Sequence, residues 1–165
     1  MAAALEVFAE GGIAAPLSAV AKRAGVGQGS LYRHFPDRVS LAVAAFEDNV
    51  AALETLAADP ACTLDDLLAV ITRQIIDSVA FVDLVTPNTD DPRLVAIAER
   101  VKAVLAGALR QARRAEKASE SVTADEIMLA VGMVAALVAK TPAADRRETA
   151  DQAWSLLRRA MVTDL

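Results

Sequence analysis

The sequence is poor in the residues that usually carry chemistry. Of 165 residues, one is cysteine (Cys62), one is histidine (His34), and Phe, Tyr and Trp together make up 4%. A single cysteine excludes an intramolecular disulfide framework and suits a reducing compartment. One His and one Cys exclude a conventional His/Cys zinc site, so no metal is expected. No nucleophile–base pattern and no phosphate-cradling loop is visible, so neither catalytic residues nor a cofactor are expected. Long hydrophobic runs are missing too. The longest uncharged apolar stretch, Ile127–Ala139, has thirteen residues, where a membrane helix needs about 20. The opening MAAALEVFAE has no basic region and carries Glu6, unlike a signal peptide. A soluble cytoplasmic protein with no membrane partner is expected.

Alanine is what the chain has in excess, with 37 residues. Ala is the strongest helix former, and 55% of the chain is apolar, which excludes a disordered polymer. The fold class read from this is all-α. Net charge is −5, which argues against a generic nucleic-acid coat but not against a small reading head on an acidic body. Residues 1–46 carry four basic residues (Lys22, Arg23, Arg33, Arg38) against three acidic (Glu6, Glu10, Asp37), while the remainder carries 13 against 19.

Glycine divides the chain. Five of the seven glycines fall at 11, 12, 25, 27 and 29, cutting the first part into short pieces. Beyond Pro36 the segments are long. The 3.6-residue periodicity predicts helices over about 37–58, 63–85, 93–118, 123–140 and 143–162. Asp37 and Asp91 are expected N-caps, with Pro92 at a first helical position, and Thr123 with Glu126 reads as a capping box.

The helix over 123–140 is apolar all round from Ile127 to Ala139 and must be covered on every side. The simplest cover is a second copy, with two C-terminal helices per subunit forming a four-helix interface; the competing reading is a central core helix of a monomer. Met133, Leu137, Trp154, Leu157 and Met161 are the candidate interface residues. Polar residues on apolar stripes mark a possible small-molecule pocket among these helices. Asn49 lies between Ala45 and Leu53, and Ser78 between Ile75 and Val82; Phe81 and Met128 are further candidate walls. No inward charge is evident, so a neutral, largely apolar effector is expected.

In the first part, Leu5, Phe8 and Ala9 give an apolar face to a helix ending at Gly11-Gly12. A short helix from about Pro16–Ser18 to Ala24, a turn at 25–27 and a third helix over 28–35 form a helix-turn-helix pattern. Val20, Ala21, Ala24, Val26 and Leu31 are its expected internal contacts. The third helix offers Gln28, Gly29, Ser30, Tyr32, Arg33 and His34, an inventory suited to base edges in a major groove. Arg38, at the start of the next helix, is placed to hold a phosphate.

The run LSAVAKRAGVGQGSLYRHFPDR, residues 17–38, resembles the DNA-binding domain of the TetR family of bacterial transcriptional regulators. The matching positions are Ala21, Ala24-Gly25-Val26, Gly29, Leu31-Tyr32 and His34-Phe35, preceded by Phe8-Ala9-Glu10 and Gly12. The resemblance implies a DNA-binding domain over residues 1–47 and a ligand-binding and dimerisation domain over 48–165. It implies a homodimeric repressor that binds a palindromic operator on double-stranded DNA and is released by a small effector. Gln28, Ser30, Tyr32, Arg33 and His34 fall where the family contacts bases or phosphates, and Gly29 where its backbone nears DNA. Arg38 stands where a Lys is usual. Ala15-Pro16 replaces the usual Thr-Thr pair, with Ser18 as a substitute phosphate contact. The family usually begins with a basic arm and a longer first helix; this sequence starts inside that helix, the arm being either trimmed away or absent, and weaker, salt-sensitive DNA binding is expected. The competing reading is a dimeric helical interaction module that has lost DNA binding.

Overall fold

The computed structural model describes residues 2–11, 14–85 and 90–162, apart from the side chains of 83, 84 and 160–162. Among these residues there are nine helices and no strand. They are α1 (Ala2–Gly11), α2 (Leu17–Ala24), α3 (Gln28–His34), α4 (Arg38–Ala57), α5 (Leu64–Asp77), α6 (Val79–Val85), α7 (Pro92–Arg114), α8 (Ala124–Ala139) and α9 (Arg146–Val162). The all-α class is therefore the observed one. Gly12 and the 87–89 stretch, expected to stop one helix and form a loop, lie outside the described residues.

Local chemistry sets the helix ends. Gly25 takes φ 68°, and its N–H reaches the Lys22 carbonyl at 3.3 Å while that of Val26 reaches Ala21 at 3.0 Å. This is a Schellman close, which needs the left-handed conformation glycine adopts without strain. Gly27 then starts α3 in extended geometry. Asp37 accepts the Ser40 N–H at 2.6 Å, and Asp91 accepts that of Arg93 at 2.9 Å. Thr63 with Asp66 and Thr123 with Glu126 each form a reciprocal capping box. α7 ends with Glu116 at φ 57° and the Lys117 N–H on the Ala112 carbonyl at 2.9 Å.

Burial falls into two cores. The first gathers Phe8, Val20, Ala21, Leu31, Leu41 and Phe81. The second gathers Leu53, Leu67, Leu105, Ile127, Val134 and Trp154. α4 runs unbroken between them, giving Leu41 and Ala45 to the first and Leu53 to the second. In the second core the Trp154 Nε1–H donates to Thr72 Oγ1 at 2.7 Å, and the Thr72 hydroxyl donates to the Leu68 carbonyl at 2.7 Å. Both buried polar groups are thereby satisfied, as a dry core requires.

Several expectations are corrected. The helix expected over 63–85 is two helices, interrupted at Ser78 (φ −115°, ψ 21°). The Ser78 N–H still reaches Gln74 at 2.9 Å and its carbonyl accepts from Phe81 at 2.8 Å, so the chain turns without losing these bonds. The turn aims Phe81 into the first core, which a straight continuation of α5 would not serve. α7 stops at Arg114, short of Ala118, at the left-handed Glu116. Ala24 and Val26, expected inside the helix-turn-helix, are exposed, because the Schellman turn faces outward.

Candidate functional site

Leu31 anchors α3 by burying its side chain in the first core, and the rest of that short helix faces out. Gln28, Gly29, Arg33 and His34 are exposed, Ser30 is half-buried, and Tyr32 is 45% exposed. The exposure of Tyr32 separates it from Phe35, which packs against the core. Ser18 lies half-buried in the first turn of α2. These residues supply neutral donors and acceptors, one phenol, one imidazole and one guanidinium on a convex ridge.

Two cations are engaged elsewhere. The Arg23 guanidinium bonds Glu6 at 2.9 Å and Glu10 at 2.7 Å, and it holds the Glu10 carboxyl below its ordinary pKa. Arg38 turns inward and donates to the carbonyls of Ala14 and Ala15, each at 3.1 Å, with its Nε buried and unbonded. Arg38 was expected to hold a phosphate; in this structure its guanidinium closes the segment that leads into α2. Lys22 and Arg33 remain as the head's outward cations among the described residues.

A second feature lies in the body. A cavity of about 280 Å³ opens between α4, α5, α6, α7 and α8. Asn49, Ser78 and Met128, three of the four residues expected to line a pocket, do line it together. Phe81 does not. It is fully buried in the first core, edge-on to Phe8 at 5.6 Å and to Phe46 at 6.2 Å. Phe46, one of the rings Phe81 touches, forms part of the cavity wall. Gln74 is a wall residue that sequence reasoning missed; its Nε2 donates to the Asn49 carbonyl at 3.1 Å.

The third feature is an apolar stripe on α8. Leu129 is 65% exposed and Met133 54%, with Leu137 also exposed one turn further. Gly132 and Ala136 lie exposed between them, and Leu156 on α9 is exposed as well. Of the expected interface residues, Met133 and Leu137 belong to this surface. Trp154 is instead buried through its bond to Thr72, and Leu157 packs half-buried on the same core. The Met161 side chain lies outside the described residues. Leu129 and Leu156 were missed, although the spacing 129, 133, 137 was available to find the first.

The head is also tied to the body by polar contacts. Arg93, at the start of α7, bonds Asp91 at 2.7 Å, approaches Asp37 at 3.5 Å and donates to Ser40 Oγ at 3.0 Å. No sequence signal marks that link. Among the described residues there is no group of three His, Cys, Asp or Glu side chains that would hold a metal. No helix among them is long and apolar enough to cross a membrane.

A glycine-turned helix pair with an exposed second helix, carried on an all-helical body, is the architecture of helix-turn-helix transcription regulators. Comparison with known proteins narrows the class. Residues 1–45 match the family described as "Bacterial regulatory proteins, tetR family". The fold is similar to the TetR transcriptional regulator SCO0520 from Streptomyces coelicolor, with 25% identity and a TM-score of 0.67 over 99% of this chain and 97% of that one. It is also similar to GusR of Salmonella enterica, with 18% identity and a TM-score of 0.64 over 98% and 95%. No curated protein matches the chain. Residues 1–45 thus resemble the N-terminal part of the tetR family of bacterial regulators, and the chain along its length has a fold similar to those two solved structures.

Proposed function

We propose that the protein is a ligand-responsive repressor acting as a cytoplasmic homodimer, with residues 1–47 as the DNA-binding head and 48–165 as the sensing and dimerising body. The observation that carries this reading is the placement of Phe81. It ties a head with an exposed α3 to a body with a cavity, through rings in contact with both. A ligand shifts an equilibrium only if it binds one state better than another. An occupant that pushes on Phe46 or Ser78 acts on the residues that seat the head. The α8 stripe supports the dimer: Leu129, Met133 and Leu137 form an unpaired apolar face of the kind a second copy covers. Two heads then meet two half-sites of a near-palindromic operator on double-stranded DNA.

In this reading Gln28, Ser30, Tyr32, Arg33 and His34 contact bases or phosphates, Gly29 lets the backbone approach, and Ser18 meets a phosphate. The test is fluorescence anisotropy against duplexes tiled across the DNA upstream of the gene, at several salt concentrations. One duplex is expected to bind tightly. With Lys22 and Arg33 as the outward cations, the logarithmic salt slope is expected near about −2 per head. Tyr32→Ala and His34→Ala are expected to abolish specific binding while leaving dimer and melting intact. Loss of folding in those variants would make the side chains structural. An intact dimer that binds no duplex would favour an interaction module instead.

A further inference from the structure

We infer that the cavity in the body selects a small, uncharged molecule with one ring and one hydroxyl or carbonyl group. This deepens, and rests on, the reading of that cavity as the effector site. Three observations on the cavity itself point there: its size, its lack of charge and the grouping of its polar atoms.

A dry apolar cavity of about 150 Å³ takes up benzene. This one, at about 280 Å³, accommodates a ring with a short chain. None of the described residues lining it is charged. A carboxylate or ammonium would leave water and find no counter-charge, which is strongly unfavourable. The polar atoms are not scattered. Gln74 reaches the Asn49 carbonyl across the α4–α5 seam, and Ser78 follows Gln74 by one turn. Asn49, Gln74 and Ser78 therefore group the polar lining on α4 and at the end of α5, while Ile97 of α7 and Met128 of α8 are apolar lining.

That polar wall has unused capacity. The Gln74 amide nitrogen is engaged, but the Asn49 amide and the Ser78 hydroxyl bond to no other side chain or backbone group among the described residues. Ser78 is only 6% exposed, so water satisfies it only by entering the cavity. Both groups donate and accept, which matches one neutral oxygen on an otherwise apolar body. Such an occupant satisfies the wall; a hydrocarbon leaves it unpaired.

The test is calorimetric titration of the full-length protein with three compounds of similar shape: para-propylphenol, propylbenzene and para-propylbenzoate. The phenol is expected to bind at one site per chain, about tenfold tighter than the hydrocarbon. The benzoate is expected to be weaker than the phenol by roughly a hundredfold or more. The double variant Asn49→Leu, Ser78→Ala is expected to erase the preference for phenol while still binding propylbenzene, which also shows that it is folded. Ala98→Phe, which fills the cavity from α7, is expected to abolish binding of all three. Equal binding of phenol and hydrocarbon, or tighter binding of the benzoate, with Ala98→Phe still blocking, would overturn the ligand class but keep the cavity as the site. Binding untouched by Ala98→Phe, or no binding of any compound, would overturn both.

Discussion

Phe81→Ala discriminates between the two roles open to that residue. As a cavity wall, its loss would enlarge the cavity and change ligand affinity at little expense in stability. As the ring between Phe8 and Phe46, its loss empties the centre of the first core. Phe81 is fully buried, and removing a buried phenyl ring costs about 4 kcal/mol, including the edge-to-face contacts. Unfolding entropy of about 2.1 cal/mol/K per residue gives roughly 0.35 kcal/mol/K for a chain of this length, so the midpoint should fall by about 11 °C. The assay is urea and thermal unfolding followed by two probes. Circular dichroism reports all helices. Fluorescence reports Trp154, the only tryptophan, which sits in the second core. In the wild type the two transitions should coincide. In Phe81→Ala the dichroism should begin to fall first, because the head loses its anchor while Trp154 keeps its surroundings. A midpoint within about 2 °C of wild type, corresponding to less than 1 kcal/mol, would refute the argument and return Phe81 to the cavity wall.

Two other predictions follow from helix ends. Glu116 holds a left-handed conformation at the close of α7, where a side chain is strained and glycine is not, so Glu116→Gly should stabilise the protein by about 0.5–1 kcal/mol in urea titration; a destabilised variant would show that the Glu116 side chain contributes more than its backbone loses. The Asp91 carboxyl is lowered to about 2 from 3.8, chiefly by its hydrogen bond with the Arg93 guanidinium and then by the Arg93 N–H. A depressed carboxylate stabilises the fold above its ordinary pKa and loses that contribution as pH falls through its folded value. Thermal melts between pH 5 and pH 2 should therefore show a steeper acid loss for wild type than for Asp91→Asn, which keeps a good N-cap; identical profiles would remove Asp91 from the acid response.

The head was legible because its determinants are local. Gly25, Gly27 and Gly29 fix turns within a few residues of themselves, and the Ala21 and Leu31 pattern fixes the crossing that follows. Capping at Asp37, Asp91 and Thr123 was readable for the same reason: donor and acceptor are two or three residues apart. Long-range contacts were not readable. Arg23 counted toward the head's positive charge and Arg38 was expected on a phosphate, yet one meets carboxylates of α1 and the other meets the backbone of residues 14 and 15. Composition gives the number of charges in a head but not the direction in which each side chain leaves its helix. Trp154 shows the same limit. A helical stripe says which side is apolar; whether that side meets its own chain or another copy depends on Thr72, 82 residues away.

The break at Ser78 is where periodicity misleads most, and also where the architecture gains most. Ile71, Ile75, Val79 and Val82 keep a 3.6-residue rhythm across it, so the run from 64 to 85 reads as one helix with one client. Two separate cores need residues from that run: Leu67, Leu68 and Ile71 enter the second, while Phe81 enters the first. One straight helix presents one stripe to one side. Serving both cores therefore requires a change of axis between Ile71 and Phe81, and Ser78 supplies it while keeping its backbone bonds. Ser78 also lines the cavity at the point where the helix is interrupted. The residue that re-aims α6 toward the head is thus also a wall of the cavity, so the head and the cavity share a joint rather than a distant chain of contacts.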